Sequence, residues 1–266
     1  MQCGISTACL FPLDTIESLK RLADTGARVT EIFLNTFSEM EDGYLAKLQD
    51  VLQANSIRAA ALHPFSSMLE AFFFATPYPA RWQDGLKLYR RLFEAASILG
   101  ADKLVFHGPN KSFSGMTPAA YADMFCALAE EGQKQGVALC QENVSYCHMG
   151  SPAYLREALP KMGGHASFVL DNKQVLRQGA ALEDMLQAMG GHICHVHISD
   201  HAPGRDCLLP GEGSWDFAPF LQALGRLPTP PDMVIEVYSG AVGGQADLQR
   251  SLQYINGLLR ENAPAG

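Results

Sequence analysis

The sequence predicts an α/β fold, a (β/α)8 TIM barrel forming a single domain over residues 1–266. Three observations predict it. The chain has 266 residues, close to the roughly 250 of such barrels. Eight short apolar runs alternate with stretches of helical periodicity. No linker, low-complexity block or charge run divides the chain.

The apolar runs predict strands at Cys3–Ser6, Val29–Leu34, Arg58–His63, Lys103–His107, Val137–Glu142, Ser167–Asp171, Ile193–Ile198 and Met233–Val237. They are nearly continuous in apolar character, as parallel strands covered on both faces are. Helical spacing appears in Thr15–Ala23, where Ile16, Leu19 and Leu22 share a face, and in Trp82–Leu99. It recurs in Pro118–Gln135, Ala153–Met162, Ala181–Met189, Phe217–Leu224 and Asp247–Leu259. Strand–helix alternation implies parallel pairing through right-handed crossovers. The competing architecture is a doubly wound open sheet, but no GxGxxG follows the first strand.

Hydrophobic residues make up 47 % of the chain, enough for a large core. The net charge of −8 argues against a general grip on nucleic acid, which needs clustered Lys and Arg. Seven cysteines, an odd number with no CxxC pair, fit a reducing compartment better than a disulfide framework. No window has the length of a membrane span, and the N-terminal segment lacks the basic region of a secretory signal. A cytoplasmic location without membrane attachment is expected, with the final Ala-Pro-Ala-Gly fraying. The connection from His63 to Pro79 is long and carries Met68, Phe72, Phe73 and Phe74. A buried helix, a contact in a homo-oligomer and a lid over the site are all open for it.

The chemistry of a (β/α)8 barrel sits at the C-terminal ends of its strands. The predicted strands carry Glu31, His63, His107, Glu142, Asp171, His197 and Glu236, most of them near that end. One buried acid or imidazole is ordinarily a hydrogen-bonded core residue or a helix cap. A whole set at one rim is costly unless paired or metal-bound. His195 and His197 share a strand face, and His197 lies closer to the mouth, so His195 is expected to be a hydrogen-bonded core residue. Glu142, Asp171, His197 and Glu236 make a mostly oxygen donor set for one divalent metal ion. Such a set favours Mn²⁺ or Mg²⁺, with Zn²⁺ or Co²⁺ as alternatives.

These residues lie in Leu62-His63-Pro64-Phe65, Val105-Phe106-His107-Gly108, Gln141-Glu142-Asn143-Val144, the run from Val169 to Gln174, the run from His195 to Asp200, the run from Pro210 to Phe217, and Ile235-Glu236-Val237-Tyr238. In this order and at these intervals they resemble the xylose isomerase-like superfamily, in particular its sugar phosphate isomerase/epimerase group. The resemblance spans essentially the whole chain and implies that Glu142, Asp171, His197 and Glu236 bind the metal. It further implies that Glu142 and Glu236 are the acid/base pair of a sugar or sugar phosphate isomerase or epimerase. One glutamate would take a proton beside the carbonyl, giving a metal-stabilised enediolate, and the other would return one.

Two positions depart from the family pattern. Asp171-Asn172-Lys173-Gln174 replaces an Asp-x-x-His, and Cys207 stands where a histidine often precedes the Gly-Glu-Gly motif. Both histidines would be needed for the three-metal cluster of the apurinic endonucleases, so DNA cleavage is disfavoured. His63, His107 and Gln174 are then expected to contact substrate. Lys173 is either a solvated first turn of the sixth helix or, with Arg205, a binder of a phosphate or carboxylate. A lyase or dehydratase on the same barrel, and a non-catalytic sugar-binding barrel, are the alternatives.

Overall fold

The structure, a computed structural model, describes residues 1–262; the Ala-Pro-Ala-Gly tail expected to fray lies outside them. Eight parallel strands close into a barrel: β1 (Cys3–Ser6), β2 (Val29–Leu34), β3 (Arg58–Pro64), β4 (Lys103–Phe106), β5 (Ala138–Glu142), β6 (Phe168–Asp171), β7 (Ile193–Ile198) and β10 (Asp232–Ile235). Each strand pairs with its sequence neighbour in the barrel, and β10 closes the ring onto β1. The antiparallel hairpin β8 (Asp200–Ala202) and β9 (Arg205–Leu208) stands beyond the end of β7.

The helices α1 (Thr15–Ala23), α4 (Pro79–Ile98), α5 (Pro118–Gln133), α6 (Pro152–Met162), α8 (Leu182–Met189), α9 (Phe217–Gly225) and α10 (Gln245–Glu261) lie where the periodicity places them. Three more are α2 (Asp42–Ala54), in a stretch without a predicted helix, α3 (Ser67–Phe74), where a buried helix is one of the open readings, and α7 (Asn172–Gln178), the sixth helix whose first turn holds Lys173. The buried face of α2 is thin, only Leu45, Leu48 and Leu52, which weakens its periodic signal. α3 forms part of the long connection after β3. Phe74 packs edge-on against Trp82 and Tyr89, while Met68 and Phe72 stay exposed.

The main core lies between the barrel and its helical jacket. Inside the barrel, Ala61, Val105, Cys140 and Val169 form a small apolar layer. Buried Glu31, His63, Glu142, His195 and His197 supply the polar part of the interior. Strict alternation would put Cys194 and His195 on opposite faces. A bulge opposite Phe168 and Val169 breaks it: Cys194 packs against the inner apolar layer, while His195 reaches Glu31.

Candidate functional site

The parallel register gathers the acids at one rim. Asp171 pairs with His197 across β6 and β7, and Ile235, one residue before Glu236, pairs with Ile198 across β10 and β7. Amide side chains continue the pairing where the ladder ends. Asn143 follows Glu142; its Nδ2 donates to the Asp171 carbonyl at 3.0 Å and its Oδ1 accepts from the Asp171 N–H at 2.7 Å. Asn172 follows Asp171 and makes the same two bonds to Ser199, at 2.7 and 2.9 Å. The acid–amide pairs therefore combine a side chain aimed inward with a clamp on the next strand.

The Gly-Glu-Gly loop is a cradle for another acid. Asp200 accepts from the backbone N–H groups of Gly211 and Gly213, both at 3.0 Å, and of Trp215 at 3.1 Å. A side chain at position 213 would begin 2.3 Å from Asp200 Oδ1, so only glycine fits there.

Glu142, Asp171, His197 and Glu236 each offer a ligand atom, all within 4.8 Å of one another. His197 Nδ1 lies 3.8 Å from Glu142 Oε1 and 3.4 Å from Glu236 Oε2. Its Nε2 donates to Glu31 Oε2 at 2.8 Å, which turns Nδ1 toward the acids. Glu31 is fully buried and also accepts from His195 Nε2 at 3.2 Å, His63 Nδ1 at 3.3 Å and Ser6 Oγ at 3.1 Å. His195 is thus a core residue anchored on Glu31. His107 Nε2 sits 2.9 Å from Glu142 Oε2 and 2.9 Å from His63 Nε2. His63, His107 and Glu142 make a second compact grouping and Glu31, His63, His197 and Glu236 a third, whereas Cys207 and His195 enter no such grouping among the described residues.

Charges in this interior shift one another. Burial works to raise the Glu142 carboxyl, but His107 and then His197 hold it well below the ordinary range. Glu236 is likewise lowered against its burial, by Lys173 and His197. Asp171 goes the other way, pushed up to about 6, chiefly by burial and despite Lys173. Burial would lower His107, yet Glu142 and Glu70 lift it to about 9.

Lys173 is not solvated. Its side chain is 4 % exposed, and Nζ lies 3.1 Å from Asp171 Oδ2 and 3.0 Å from Glu236 Oε2. Asp171 Oδ1 caps α7 through the Gln174 N–H, which turns the first turn of the helix into the barrel mouth.

A cavity of about 580 Å³ opens above the cluster. Glu142, Glu236, His63, His107, Lys173 and Gln174 line it, while Asp171 and His197 lie behind. Arg205 does not line it, because β9 carries it outward to the exposed edge of the hairpin. Arg177 lines it instead; it donates to Asp206 at 2.6 Å and to the Tyr238 hydroxyl at 2.8 Å. Its position four residues after Lys173, on one face of a helix, is the sequence signal that could have found it. Phe11, Phe33, Tyr146 and Tyr238 form the aromatic walls and come from four different strand-end loops or strands, with no linear motif to announce them.

The donor set fits a divalent cation. His197 Nδ1, Glu142 Oε2 and Asp171 Oδ2 are buried and make no well-aligned hydrogen bond among the described residues, only ion-pair contacts, to Glu236, His107 and Lys173. Such atoms are costly unless something binds them. Three carboxylates and one imidazole suit a hard or borderline ion.

Residues 19–258 match the family model described as xylose isomerase-like TIM barrel. An uncharacterized protein of Mycobacterium leprae (strain TN) is 24 % identical, with 96 % of this chain and 97 % of that protein aligned. D-Psicose 3-epimerase of Clostridium cellulolyticum H10, solved with D-tagatose, superposes with a TM-score of 0.80 at 14 % identity, covering 100 % of both chains. D-Allulose 3-epimerase of Methylomonas sp., solved with D-allulose, gives 0.76 at 19 % identity, covering 97 % of this chain and 96 % of that one. The 3-keto-D-glucoside 4-epimerase of E. coli gives 0.75 at 16 % identity, covering 97 % and 98 %.

Proposed function

The chain belongs to the xylose isomerase-like TIM barrel family, and from that premise we propose that it is a divalent-metal-dependent isomerase or epimerase of a small sugar or sugar phosphate. One observation carries the proposal. Of the four clustered residues, the two glutamates face the cavity and Asp171 and His197 lie behind them. An acid/base pair must reach the reacting carbon, whereas residues that only hold a cation need not. That three solved structures of similar fold are sugar epimerases supports the choice of substrate class.

Glu142, Asp171, His197 and Glu236 would hold the ion. When bound, it supplies Lewis-acid polarisation of the substrate carbonyl, which makes the neighbouring C–H more acidic. The chain's own residues move the proton. Glu142 takes it from one face of that carbon and Glu236 returns one from the other, or the roles reverse. His107 steadies Glu142 at 2.9 Å, and Lys173 lies 3.0 Å from Glu236 before an ion is bound. His63, His107 and Gln174 sit where they can bind hydroxyl groups, with Lys173 and Arg177 as the cationic groups on the wall that a phosphate or hydroxyl would meet. The aromatic walls offer flat faces to a sugar ring.

The test is solvent-deuterium incorporation into a panel of ketoses and ketose phosphates with Mn²⁺ present. Glu142→Gln and Glu236→Gln should each fold and lose at least ~10²-fold in exchange rate. Metal content is measured in the same samples, and one tightly bound ion per chain is expected. A glutamine variant that stays metal-loaded and exchanges at the wild-type rate would remove that glutamate from the mechanism. A product lighter by one water would indicate a lyase. Cleavage of abasic DNA with two or three metals per chain would indicate an endonuclease, and binding without exchange a sugar-binding barrel.

A further inference from the structure

We propose that Lys173 is a tethered cation built into the metal site: it neutralises Asp171 and Glu236 when no divalent ion is present, gives them up when one binds, and so sets the affinity of the site. This rests on the metal-dependent reading above. Its ammonium contacts Asp171 Oδ2 at 3.1 Å and Glu236 Oε2 at 3.0 Å, and both residues belong to the four-residue ligand grouping. An ion held by those two carboxylates would face the ammonium at close range, like charge against like. The lysine must therefore yield ground to the ion, or weaken it.

The lysine also has somewhere to go. Nζ lies 5.4 Å from the centre of the Tyr238 ring, and Tyr238 is 60 % exposed on the cavity wall. A short rotation of the side chain exchanges two carboxylates for a ring face and the cavity. Arg177 is not free to take over the neutralising role, because it is paired with Asp206. The backbone of Lys173 is fixed in the first turn of α7, so only the side chain has to move.

Two measurements on the full chain, stripped with EDTA, test this. Calorimetric titration with Mn²⁺ and with Zn²⁺ compares wild type with Lys173→Met, which should bind roughly tenfold tighter or more. Acylation of wild-type lysines, mapped by mass spectrometry, should label Lys173 slowly in EDTA and faster after the ion is added. If Lys173→Met does not fold, the labelling alone decides. Binding by Lys173→Met that is equal or weaker, or labelling of a metal-loaded wild type that the ion does not change, overturns the tethered cation and leaves the metal reading standing. If neither ion binds to either protein and labelling is unchanged, the metal reading falls and the proposal with it.

Discussion

Glu31 accepts from three imidazoles and a serine hydroxyl, so one carboxylate deep in the barrel sets the rotation of every histidine bonded to it. Burial works against its charge, but His197, His195 and His63 hold the carboxyl well below its ordinary range. A glutamine there would present an N–H₂ to at least one ring N–H and loosen the orientation of His197. Glu31→Gln should keep the fold, checked by circular dichroism, and lower divalent-ion affinity ~10–100-fold, the usual cost of losing a partner behind a ligand. Calorimetric titration reads this directly; an unchanged affinity would show that packing alone orients His197.

At the scale of elements, the barrel mouth is held by polar bridges rather than by apolar packing. Asn143→Ala and Asn172→Ala each break two bonds to buried backbone, and each should cost about 1–3 kcal/mol in urea unfolding. Asn143→Ala should also weaken metal binding, because Asp171 loses its clamp; a variant as stable as wild type would deny the clamp any energetic role.

Another bridge ties α3 to the loop after β4. Glu70 accepts from Tyr89 Oη at 2.6 Å and from the Gly108 N–H at 2.5 Å. Gly108 adopts a positive φ of 77° close under the Tyr121 hydroxyl, so this turn admits no side chain. Burial raises the Glu70 carboxyl above its ordinary 4.5, against the pull of His107. The folded chain therefore binds that proton more tightly than the unfolded chain. The contribution is full below about pH 4.5 and is lost as pH rises through the raised value. Stability of wild type measured against pH should carry this downward slope, and Glu70→Gln should lack it. An identical slope in both proteins would assign it to other groups.

For the molecule as a whole, metal and fold are linked. Three carboxylates converge at one rim with Glu31 beneath them, and Lys173 is the cation placed among them. At a Mn²⁺ concentration 100 times its Kd, stability should rise about 2.7 kcal/mol. For a chain of this size that is about 5–10 °C in Tm. EDTA should reverse it. A Tm indifferent to both would mean that the ion does not bind the folded protein selectively.

By itself the sequence determined the barrel and its acidic rim. Both are local properties: β5 and β6 announce themselves as apolar runs ending in Glu142-Asn143 and Asp171-Asn172, and parallel strands send every such end to the same side. Tertiary structure alone decided what each polar residue faces. Glu31 looked like one more acid on a strand, because its partners His195 and His197 lie 164 and 166 residues away. Lys173 stayed open between a solvated turn and an anion-binding role, because its type is usually exposed. It is buried because Asp171 caps α7, and the first turn of that helix points the lysine at Glu236, 63 residues further on. Cys194 and His195 share the interior only through a bulge in the pairing of β6 with β7. Arg177 took the cavity position expected of Arg205 because α7 faces the mouth while the β8–β9 hairpin turns its tip to solvent. Periodicity is written along the chain, whereas the direction of a long polar side chain is set by charges that only the closed barrel brings near it.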